Sequence, residues 1–321
     1  MEKLVDNWGR IINYLRISVT DRCNLRCKYC MPEEGIETKR HEDILSYEQI
    51  VKIVKIGKEM GIKNVRITGG EPLVRLNLVE LISKLNELDL NDISLTTNGV
   101  LLAEKAVELK KAGLDRVNIS LDSLDKDKYK EITRRDRYES VIAGIEAALK
   151  YNFKPVKLNM VVMKGINDDE LIEFAKLSIN KPLHVRFIEY MPLGKDINGA
   201  EYYETKKVKK KIKNEFKLIK TETEGSGPAK YFKIPGSGGS IGFISPMSEH
   251  FCAECNRFRL TADGKFRPCL ARDLEVEIQK DFSRKSIIKA YQKALSIKPI
   301  SHNLDFADNG ERDRTMSQIG G

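Results

Sequence analysis

From residue 14 to about residue 191, short runs typical of β-strands alternate with longer segments typical of amphipathic helices. The helical segments carry apolar residues three or four positions apart, whereas the strand-like runs alternate apolar and polar residues. The strand-like runs are YLRISVTD, NVRITGG, ISLTTNG, RVNISLDS, VKLNMVVMKG and HVRFIEYM. Because strands that alternate with helices form parallel sheets, the pattern predicts an α/β protein whose parallel sheet is open or barrel-like.

The segment SYEQIVKIVKIGKEMG shows the helical pattern most clearly. Ser46 and Gln49 have the spacing of an N-terminal capping box, and Ile50, Ile53 and Ile56 form an apolar stripe. VELISKLNEL and AEKAVELKKAG are similar. We therefore expect helices in the connections between the strands.

The polar residues of the strand-like runs fall on one face of the predicted sheet. Successive side chains of a strand point to opposite faces, so the apolar residues of each run share one side and the polar residues the other. The polar set comprises Arg16, Ser18, Thr20, Arg66, Thr68, Ser94, Thr96, Asn118, Ser120, Asp122, Lys157, Asn159, His184 and Arg186. A packed barrel interior would be filled by Val, Ile and Leu. We therefore expect the polar face to line a wet lumen or cleft.

Four cations would converge in this lumen: Arg16, Arg66, Lys157 and Arg186. Unpaired buried charge is costly, so the four side chains predict an anionic ligand. The alternative interpretation is that each cation forms an ion pair with a nearby Asp or Glu.

The loop DRCNLRCKYCMP directly follows the first strand-like run and holds Cys23, Cys27 and Cys30. Its polar neighbours argue against a buried structural role. Structural zinc needs four ligands, whereas three thiolates on a four-iron cluster leave one iron open to a substrate or cofactor. GGEP, from Gly69 to Pro72, follows the second run, and loops after parallel strands form the sites of such folds.

The remaining cysteines lie in HFCAECNRFRLTADGKFRPCL and are Cys252, Cys255 and Cys269. Three thiolates without an obvious fourth ligand again suit an iron–sulfur cluster with one open iron. Arg257 and Arg259 share strand parity and would place two cations near the metal. The alternative is a zinc site completed by His250.

A hairpin would bring these three cysteines together. The Asp263–Gly264 pair predicts a two-residue turn that sets Ala262 opposite Lys265 and Phe258 opposite Cys269. The distant third cysteine would then lie beside the C-x-x-C pair.

Composition and charge limit the partners. Hydrophobic residues make up 41% of the chain, the mean hydropathy is −0.40, and no apolar run is long enough to span a bilayer. The start, MEKLVDNWGR, lacks the apolar stretch of a signal peptide. We therefore expect a cytoplasmic protein with no membrane partner, whose clustered thiols bind metal rather than form disulfides. The net charge of +9 suits either nucleic acid or a phosphorylated small molecule.

The run KKVKKKIKNEF is the strongest argument for nucleic acid. However, Val208, Ile212 and Phe216 recur every four residues, which favours an amphipathic helix with a solvated basic face over RNA binding. We therefore expect no nucleic-acid partner. An RNA-modifying radical enzyme and a zinc-stabilised nucleic-acid-binding module remain the alternatives.

C-x-x-x-C-x-x-C after the first strand, with GGEP after the second, resembles the radical S-adenosylmethionine superfamily. The second cysteine set, NRFRL and the final Gly320–Gly321 are similar to the GTP 3′,8-cyclase family of that superfamily, over nearly the full length. The resemblance implies an incomplete (β/α)6 TIM-like barrel over residues 1–200, holding one [4Fe–4S] cluster. It also implies a C-terminal α+β extension over residues 201–321, holding a second cluster and the Gly-Gly tail.

The resemblance further implies a lyase reaction. Reductive cleavage of S-adenosylmethionine would release a 5′-deoxyadenosyl radical that abstracts the C3′ hydrogen of GTP. Closure onto guanine C8 would give (8S)-3′,8-cyclo-7,8-dihydroguanosine 5′-triphosphate, the first step of molybdenum cofactor biosynthesis. The implied partners are GTP, a flavodoxin- or ferredoxin-like reductant, a downstream pyranopterin-forming enzyme and a second copy of the chain.

The family's sites can be carried onto the matching residues. The first cluster would be held by Cys23, Cys27 and Cys30, and the second by Cys252, Cys255 and Cys269. The expected S-adenosylmethionine contacts are Tyr29, Gly70, Ser120 and Met191. The expected GTP contacts are Arg16, Arg66, Thr96, Lys157, Arg257, Phe258 and Arg259, to which the polar strand face adds Arg186. The expected catalytic residues are Arg257, Arg259, Gly320 and Gly321.

Overall fold

A computed structural model describes residues 3–193, 201–225, 227–304 and 313–320. Within these ranges, no helix is both long and apolar enough to cross a membrane. The predicted boundary at residue 200 falls in the segment 194–200, outside the described residues, and the division into two domains stays a prediction.

The six predicted strands are confirmed. They are β1 Tyr14–Ser18, β2 Asn64–Thr68, β3 Asp92–Thr97, β4 Arg116–Ser120, β5 Val156–Val162 and β6 Leu183–Glu189. The helices between them are α1 Tyr47–Glu59, α2 Leu78–Asn86, α3 Leu102–Lys111, α4 Lys126–Thr133, α5 Tyr138–Lys150 and α6 Leu171–Asn180. Ser46 and Gln49 form the predicted capping box at the start of α1.

The C-terminal region adds strands to both sides of this sheet. Its elements are α7 Thr205–Glu215, β7 Ile219–Thr221, β8 Lys230–Lys233, β9 Ser240–Ile244, β10 Arg257–Leu260, β11 Lys265–Arg267, β12 Val276–Glu277, α8 Arg284–Ser296 and α9 Met316–Ile319. The strand order is β12-β11-β10-β1-β2-β3-β4-β5-β6-β9-β8-β7. Strand β10 pairs in parallel with β1, and β9 pairs in parallel with β6. The sheet is open, which confirms an α/β fold with a partial barrel and a C-terminal extension.

The predicted strand parity is confirmed by the distribution of burial. Leu15, Ile17, Val65 and Ile67 are fully buried and belong to the main hydrophobic core, together with the apolar stripe of α1. The apolar face of the sheet therefore supplies the core under the helices, and the polar face is left to line the interior of the partial barrel.

The basic run also has its predicted structure. Val208 and Ile212 of α7 are buried, whereas Lys206, Lys207 and Lys210 are exposed. The lysines thus form the solvated face of an amphipathic helix.

The predicted hairpin turn is wrong by one residue. Leu260 lies opposite Phe266, which requires a three-residue loop instead of a two-residue turn. Gly264 donates its N–H to the carbonyl of Thr261 and has a φ of +82°. A tight turn followed by a glycine in the left-handed region is a common three-residue hairpin loop, and Asp263 is accommodated in it without positive φ.

The pair between Arg116 and Asp92 shows how the interior neutralises one of its cations. Arg116 Nε lies 2.5 Å from Asp92 Oδ1, and a second contact joins Arg116 Nη2 to Asp92 Oδ2. Both side chains are largely buried, with 3% and 14% of their surface exposed. Removing one partner of such a pair leaves an uncompensated buried charge.

We therefore expect Asp92→Asn to lower the free energy of unfolding by about 3–5 kcal/mol, because Arg116 would remain charged. Urea denaturation of the metal-free protein measures the change. Glu48→Gln is the control, since it disrupts an exposed ion pair with Lys84 and should have little effect. An equally small effect of both substitutions would contradict the importance of the buried pair.

Candidate active site

The polar face of the sheet lines a cavity of about 350 Å³, within the range of small-molecule sites. The lining includes most of the residues singled out by the sequence: Arg16, Tyr29, Arg66, Gly70, Thr96, Ser120, Arg186, Met191, Arg257 and Arg259, with all six cysteines. One cavity therefore contains both cysteine sets and most of the expected ligand contacts.

Three arginines form a row across adjacent strands. Arg16 on β1 is in register with Arg66 on β2 and with Arg259 on β10. Neighbouring strands lie about 4.8 Å apart, so the three cations start from closely spaced positions. Burial lowers the pKa of Arg16, and the charges of Arg259 and Arg66 lower it further. Burial also lowers the pKa of Arg66 to about 10 and that of Arg259 to about 9.

Neutral groups accept the hydrogen bonds of Arg66, Arg259 and Arg186. Arg66 Nε lies 3.3 Å from Ser94 Oγ, and Arg259 Nη1 donates to the carbonyl of Gly320. Arg186 donates to the side-chain oxygens of Asn159 and Asn118 at 2.7 and 2.6 Å. Within the described residues, the alternative that these cations pair with carboxylates is therefore not supported for Arg66, Arg186 or Arg259.

Lys157 lies deeper than predicted. It is 2% exposed, its Nζ donates to the carbonyl of Glu224, and it is not part of the cavity lining. Burial, followed by the charge of Arg186, lowers the pKa of Lys157 to about 6. Its predicted contact with GTP therefore has no direct geometric support.

The side chain of Phe258 points away from the cavity. It is fully buried in the main core beside Phe266, on the face opposite Arg257 and Arg259. The reason is strand alternation, which points every second side chain of β10 away from the cavity. The Phe258 side chain therefore does not line the cavity, and the predicted contact between Phe258 and GTP, which named no atom, stays a prediction.

The first cysteine loop is fixed by main-chain contacts. Arg26 N and Lys28 N donate to the carbonyls of Thr133 and Ile132 at the end of α4. Burial raises the pKa of Cys23 to about 11 and that of Cys30 to about 12. Thiolates at these positions therefore need a bound metal to offset the cost of burial.

The GGEP glycines allow the end of β2 to approach this loop. A Cβ atom on Gly69 would lie 2.5 Å from the Thr20 carbonyl oxygen, and one on Gly70 would lie 2.4 Å from that of Arg22. Gly70 N also donates to the Thr20 carbonyl oxygen at 2.8 Å. Any residue other than glycine at position 69 or 70 would therefore displace the backbone that leads into the cysteine loop.

Glu71 is a positioning residue to which the sequence assigned no role. Its buried carboxylate accepts hydrogen bonds from Leu73 N, Thr97 Oγ1 and Asn98 N at 2.9, 2.8 and 2.6 Å. Burial raises its pKa to about 7. Asn98 Nδ2 in turn donates to Asn24 Oδ1 in the cysteine loop at 2.7 Å. Glu71 thus joins the loops after β2 and β3 to the first cysteine set.

Asp122 is a second such residue, although strand parity had placed it on the polar face. Its Oδ2 accepts from Tyr29 Oη at 2.7 Å, and its Oδ1 accepts from Val161 N at 2.9 Å. Burial raises the pKa of Asp122 to about 6. The carboxylate fixes the tyrosine expected to contact S-adenosylmethionine.

The second cysteine set faces the same cavity. Burial raises the pKa of Cys255, but the nearby cations of Arg257 and Lys298 outweigh it and lower that pKa to about 7. Burial raises the pKa of Cys252. Of Cys252 and Cys255, the surroundings therefore favour the thiolate form at Cys255.

The spacing of the donor atoms discriminates between zinc and a larger group. Zinc–sulfur bonds of about 2.3 Å place tetrahedral ligands close together. Of the described residues, the group with all donor atoms within 4.8 Å of one another is His250, Cys252 and His302. The sulfur atoms of neither cysteine triplet all lie within 4.8 Å of one another. Both triplets therefore fit a cluster of several atoms better than a single ion. The predicted zinc alternative would instead recruit His302, which the sequence did not indicate.

The C-terminal segment enters the cavity. The carbonyl of Gly320 accepts from Arg259, and the main-chain N–H of Ser317 donates to the sulfur of Cys30. Gly320 has a φ of +71°, and a Cβ atom there would lie 2.7 Å from Thr68 Cγ2. Gly321, the other predicted tail residue, lies outside the described residues.

An ion-pair clamp holds this segment in place. Arg314 donates to both carboxylate oxygens of Asp263 at 3.1 and 2.8 Å, and its Nε lies 2.7 Å from Glu275 Oε1. Asp263 is at the tip of the β10–β11 hairpin. The hairpin that carries Arg257 and Arg259 therefore also anchors the tail.

The arginine row generates a binding prediction. Arg66→Gln should weaken the binding of GTP or inorganic triphosphate about ten- to a hundredfold, because a hydrogen bond to a charged group is worth about 1.5–3 kcal/mol. The melting temperature of the ligand-free protein should not fall, since the substitution relieves repulsion of Arg16. Titration calorimetry and thermal unfolding measure the two effects.

Lys210→Gln is the matched control, because it removes an exposed cation from α7. It should leave triphosphate affinity nearly unchanged. Equal affinities for wild type and Arg66→Gln would place the phosphates elsewhere.

Comparison with known proteins agrees with this geometry. The radical SAM superfamily matches residues 17–178, and the molybdenum cofactor synthesis C family matches residues 183–304. The GTP 3′,8-cyclase of Petrotoga mobilis is 52% identical, covering 99% of this chain and all of that protein. The GTP 3′,8-cyclase of Desulforamulus reducens is 49% identical over the same shares.

Solved structures share the fold at low identity. SuiB of Streptococcus suis, bound to its precursor peptide SuiA, has a TM-score of 0.65 at 16% identity, covering 90% of this chain and 67% of that one. Native anSMEcpe with bound AdoMet has a TM-score of 0.58 at 18% identity, covering 88% of this chain and 83% of that one. With relatives matching at about half of all positions over the full length, the chain belongs to the GTP 3′,8-cyclase family of the radical SAM superfamily.

Proposed function

We propose that the chain is a radical SAM lyase that converts GTP to (8S)-3′,8-cyclo-7,8-dihydroguanosine 5′-triphosphate, the first step of molybdenum cofactor biosynthesis. The observation that carries the proposal is the position of the arginine row, which lines the same cavity as the two cysteine triplets. A nucleoside triphosphate can then contact the row while its sugar and base extend between the metal sites.

The donor sets fit two [4Fe–4S] clusters. Cys23, Cys27 and Cys30 would hold the first cluster. With S-adenosylmethionine bound and one electron from a reductant, that cluster would supply the radical chemistry at the C3′ hydrogen of GTP. Tyr29, which Asp122 fixes, and Gly70 line the cavity with this triplet. The other expected S-adenosylmethionine contacts, Ser120 and Met191, line the same cavity.

The substrate site is built from the cation row. Arg guanidinium groups match the geometry of phosphate oxygens, so Arg16, Arg66 and Arg259 would bind the triphosphate. Thr96, Arg186 and Arg257 complete the proposed set of GTP contacts. Cys252, Cys255 and Cys269 would hold the second cluster, which would supply an iron site for the guanine.

The tail closes the site from the other direction. Gly320 occupies space between Ser18, Thr68 and Arg259 where no side chain fits. A closed cavity excludes water from a reactive carbon radical. Gly320 and Gly321, with Arg257 and Arg259, are thus the proposed catalytic residues.

The competing functions have weaker support. An RNA-modifying enzyme or a nucleic-acid module would need accessible cations and stacking aromatics. Here the lysines of α7 are explained by helix amphipathicity, and the arginines of the row point into the cavity. Tight, salt-sensitive RNA binding in a filter assay would favour these alternatives.

The proposed partners follow from the reaction. A flavodoxin- or ferredoxin-like carrier would deliver the electron, and a pyranopterin-forming enzyme would consume the product. In this proposal the chain and both partners are cytoplasmic. The enzyme itself would act as a homodimer.

The test begins with anaerobic purification and a metal count. Two [4Fe–4S] sites predict about eight irons per chain and a broad absorption band at about 400 nm. Incubation with GTP, S-adenosylmethionine and dithionite should then yield the cyclised triphosphate and 5′-deoxyadenosine. A colourless zinc protein after anaerobic reconstitution would end the radical hypothesis, and about four irons would leave only the first cluster in place.

The tail gives a sharper prediction. Deleting Gly320 and Gly321 should leave about eight irons but abolish cyclisation. Gly320→Ala should lower the rate roughly ten- to a hundredfold, since a strained positive-φ residue costs about 1–3 kcal/mol. Product formation and iron content are measured in parallel.

Gly236→Ala is the matched control. Gly236 also has positive φ, at +80°, but a Cβ atom there would meet nothing within 4 Å. The Gly236→Ala substitution should lower the free energy of unfolding somewhat and leave the rate of cyclisation unchanged. Full activity of the deletion variant would remove the tail from the chemistry.

A further inference from the structure

Lys298 lies between residues 271 and 310, a part of the chain in which the sequence indicates no catalytic role. It follows α8, is 4% exposed, and its Nζ has three acceptors around the second cysteine set. These are Cys255 Sγ at 3.6 Å, the Arg257 carbonyl oxygen at 3.0 Å and the Pro268 carbonyl oxygen at 2.6 Å. One ammonium group therefore joins the strand after Cys255 to the residue before Cys269.

The charge of Lys298 is not offset by a carboxylate among these acceptors. A buried ammonium with neutral acceptors alone is costly. Arg10 provides the contrast: it also braces this set, donating to the Cys252 carbonyl at 2.7 Å, but Asp6 neutralises it at 2.6 Å. The negative charge nearest to Lys298 must therefore come from the thiolates of the second set.

The position of Lys298 is held from several sides. Trp8 Nε1 donates to the carbonyl of Lys298 at 3.0 Å, and Asn7 Nδ2 donates to that of Ser296 at 3.0 Å. The Nζ atom also lies 5.5 Å from the ring centre of Phe258. The N-terminal segment and the core thus keep the ammonium against the cysteines.

We propose that Lys298 is an electrostatic positioning residue of the second cluster, donating a hydrogen bond to the Cys255 sulfur and raising the reduction potential of the iron held there. The proposal rests on the proposed function only in assuming an iron–sulfur cluster at the second cysteine set. Reduction adds one negative charge to the cluster, and a nearby cation stabilises the reduced form. The same hydrogen bond favours retention of the cluster by stabilising the thiolate ligand.

The experiment is a potentiometric titration of the full-length holoenzyme followed by electron paramagnetic resonance, without GTP. Lys298→Met and Lys298→Gln should lower the midpoint potential of one cluster and leave the other unchanged. Lys298→Arg, which keeps the charge, should remain near wild type. Repeating the titration with Cys23, Cys27 and Cys30 replaced by Ala assigns the shifted signal to the second cluster.

Lys293→Met is the matched control, because it removes an exposed cation from the last turn of α8. Unchanged potentials in Lys298→Met and Lys298→Gln, at full iron content, would overturn the proposal. Lys298→Met could instead lose the second cluster and retain only about four irons. In that case, about eight irons in Lys298→Arg would support the role of the charge, and about four irons in Lys298→Arg would overturn it. A wild type that titrates as expected but does not convert GTP would refute the proposed function alone.

Discussion

The placement of three arginines in register on adjacent buried strands is the constraint on which the site depends. Arg16, Arg66 and Arg259 repel one another, and burial further disfavours their charged forms. The apolar face of the sheet supplies the stability that the polar face lacks. Carboxylates beside the row would stabilise the free protein, but they would compete with phosphate oxygens. Neutral partners such as Ser94 and the Gly320 carbonyl satisfy hydrogen bonds and leave the positive potential available to a polyanion.

The pairing of β10 with β1 explains why residues far apart in sequence act in one cavity. β1 has β2 on one side and β10 on the other. The loops that follow β1 and β2, which carry the first triplet and GGEP, are neighbours at one end of these parallel strands, whereas Cys252 and Cys255 precede β10 and lie at the opposite end. Glycines 69 and 70 permit the close approach on one side. On the other side, the β10–β11 hairpin presents Arg259 and holds Arg314 through Asp263. The tail is thus placed by the same element that supplies a cation to the site.

Period-two alternation made the fold and the polar lining predictable, because it depends only on local strand geometry. The same rule places the side chain of Phe258 outside the cavity, between the inward-facing Arg257 and Arg259, as the sequence alone could have shown. The register of the β10–β11 hairpin was harder to predict from the sequence. Asp-Gly is compatible with more than one loop, and Asp263 is bound by Arg314, some fifty residues away. Glu71 and Lys298 could not be identified because their burial results from contacts between distant segments.

Except at Lys157, whose partner is a carbonyl oxygen outside the cavity lining, the partners of these buried cations distinguish structural from functional roles. Arg116 and Arg10 each have a carboxylate, and both connect parts of the framework. Arg66, Arg186 and Lys298 have neutral or sulfur partners within the described residues, and each adjoins a place where an anion is expected. The free energy lost by burying these charges in the free protein is recovered when phosphate or an anionic cluster binds. Stability and ligand affinity in this fold are therefore coupled through the same side chains.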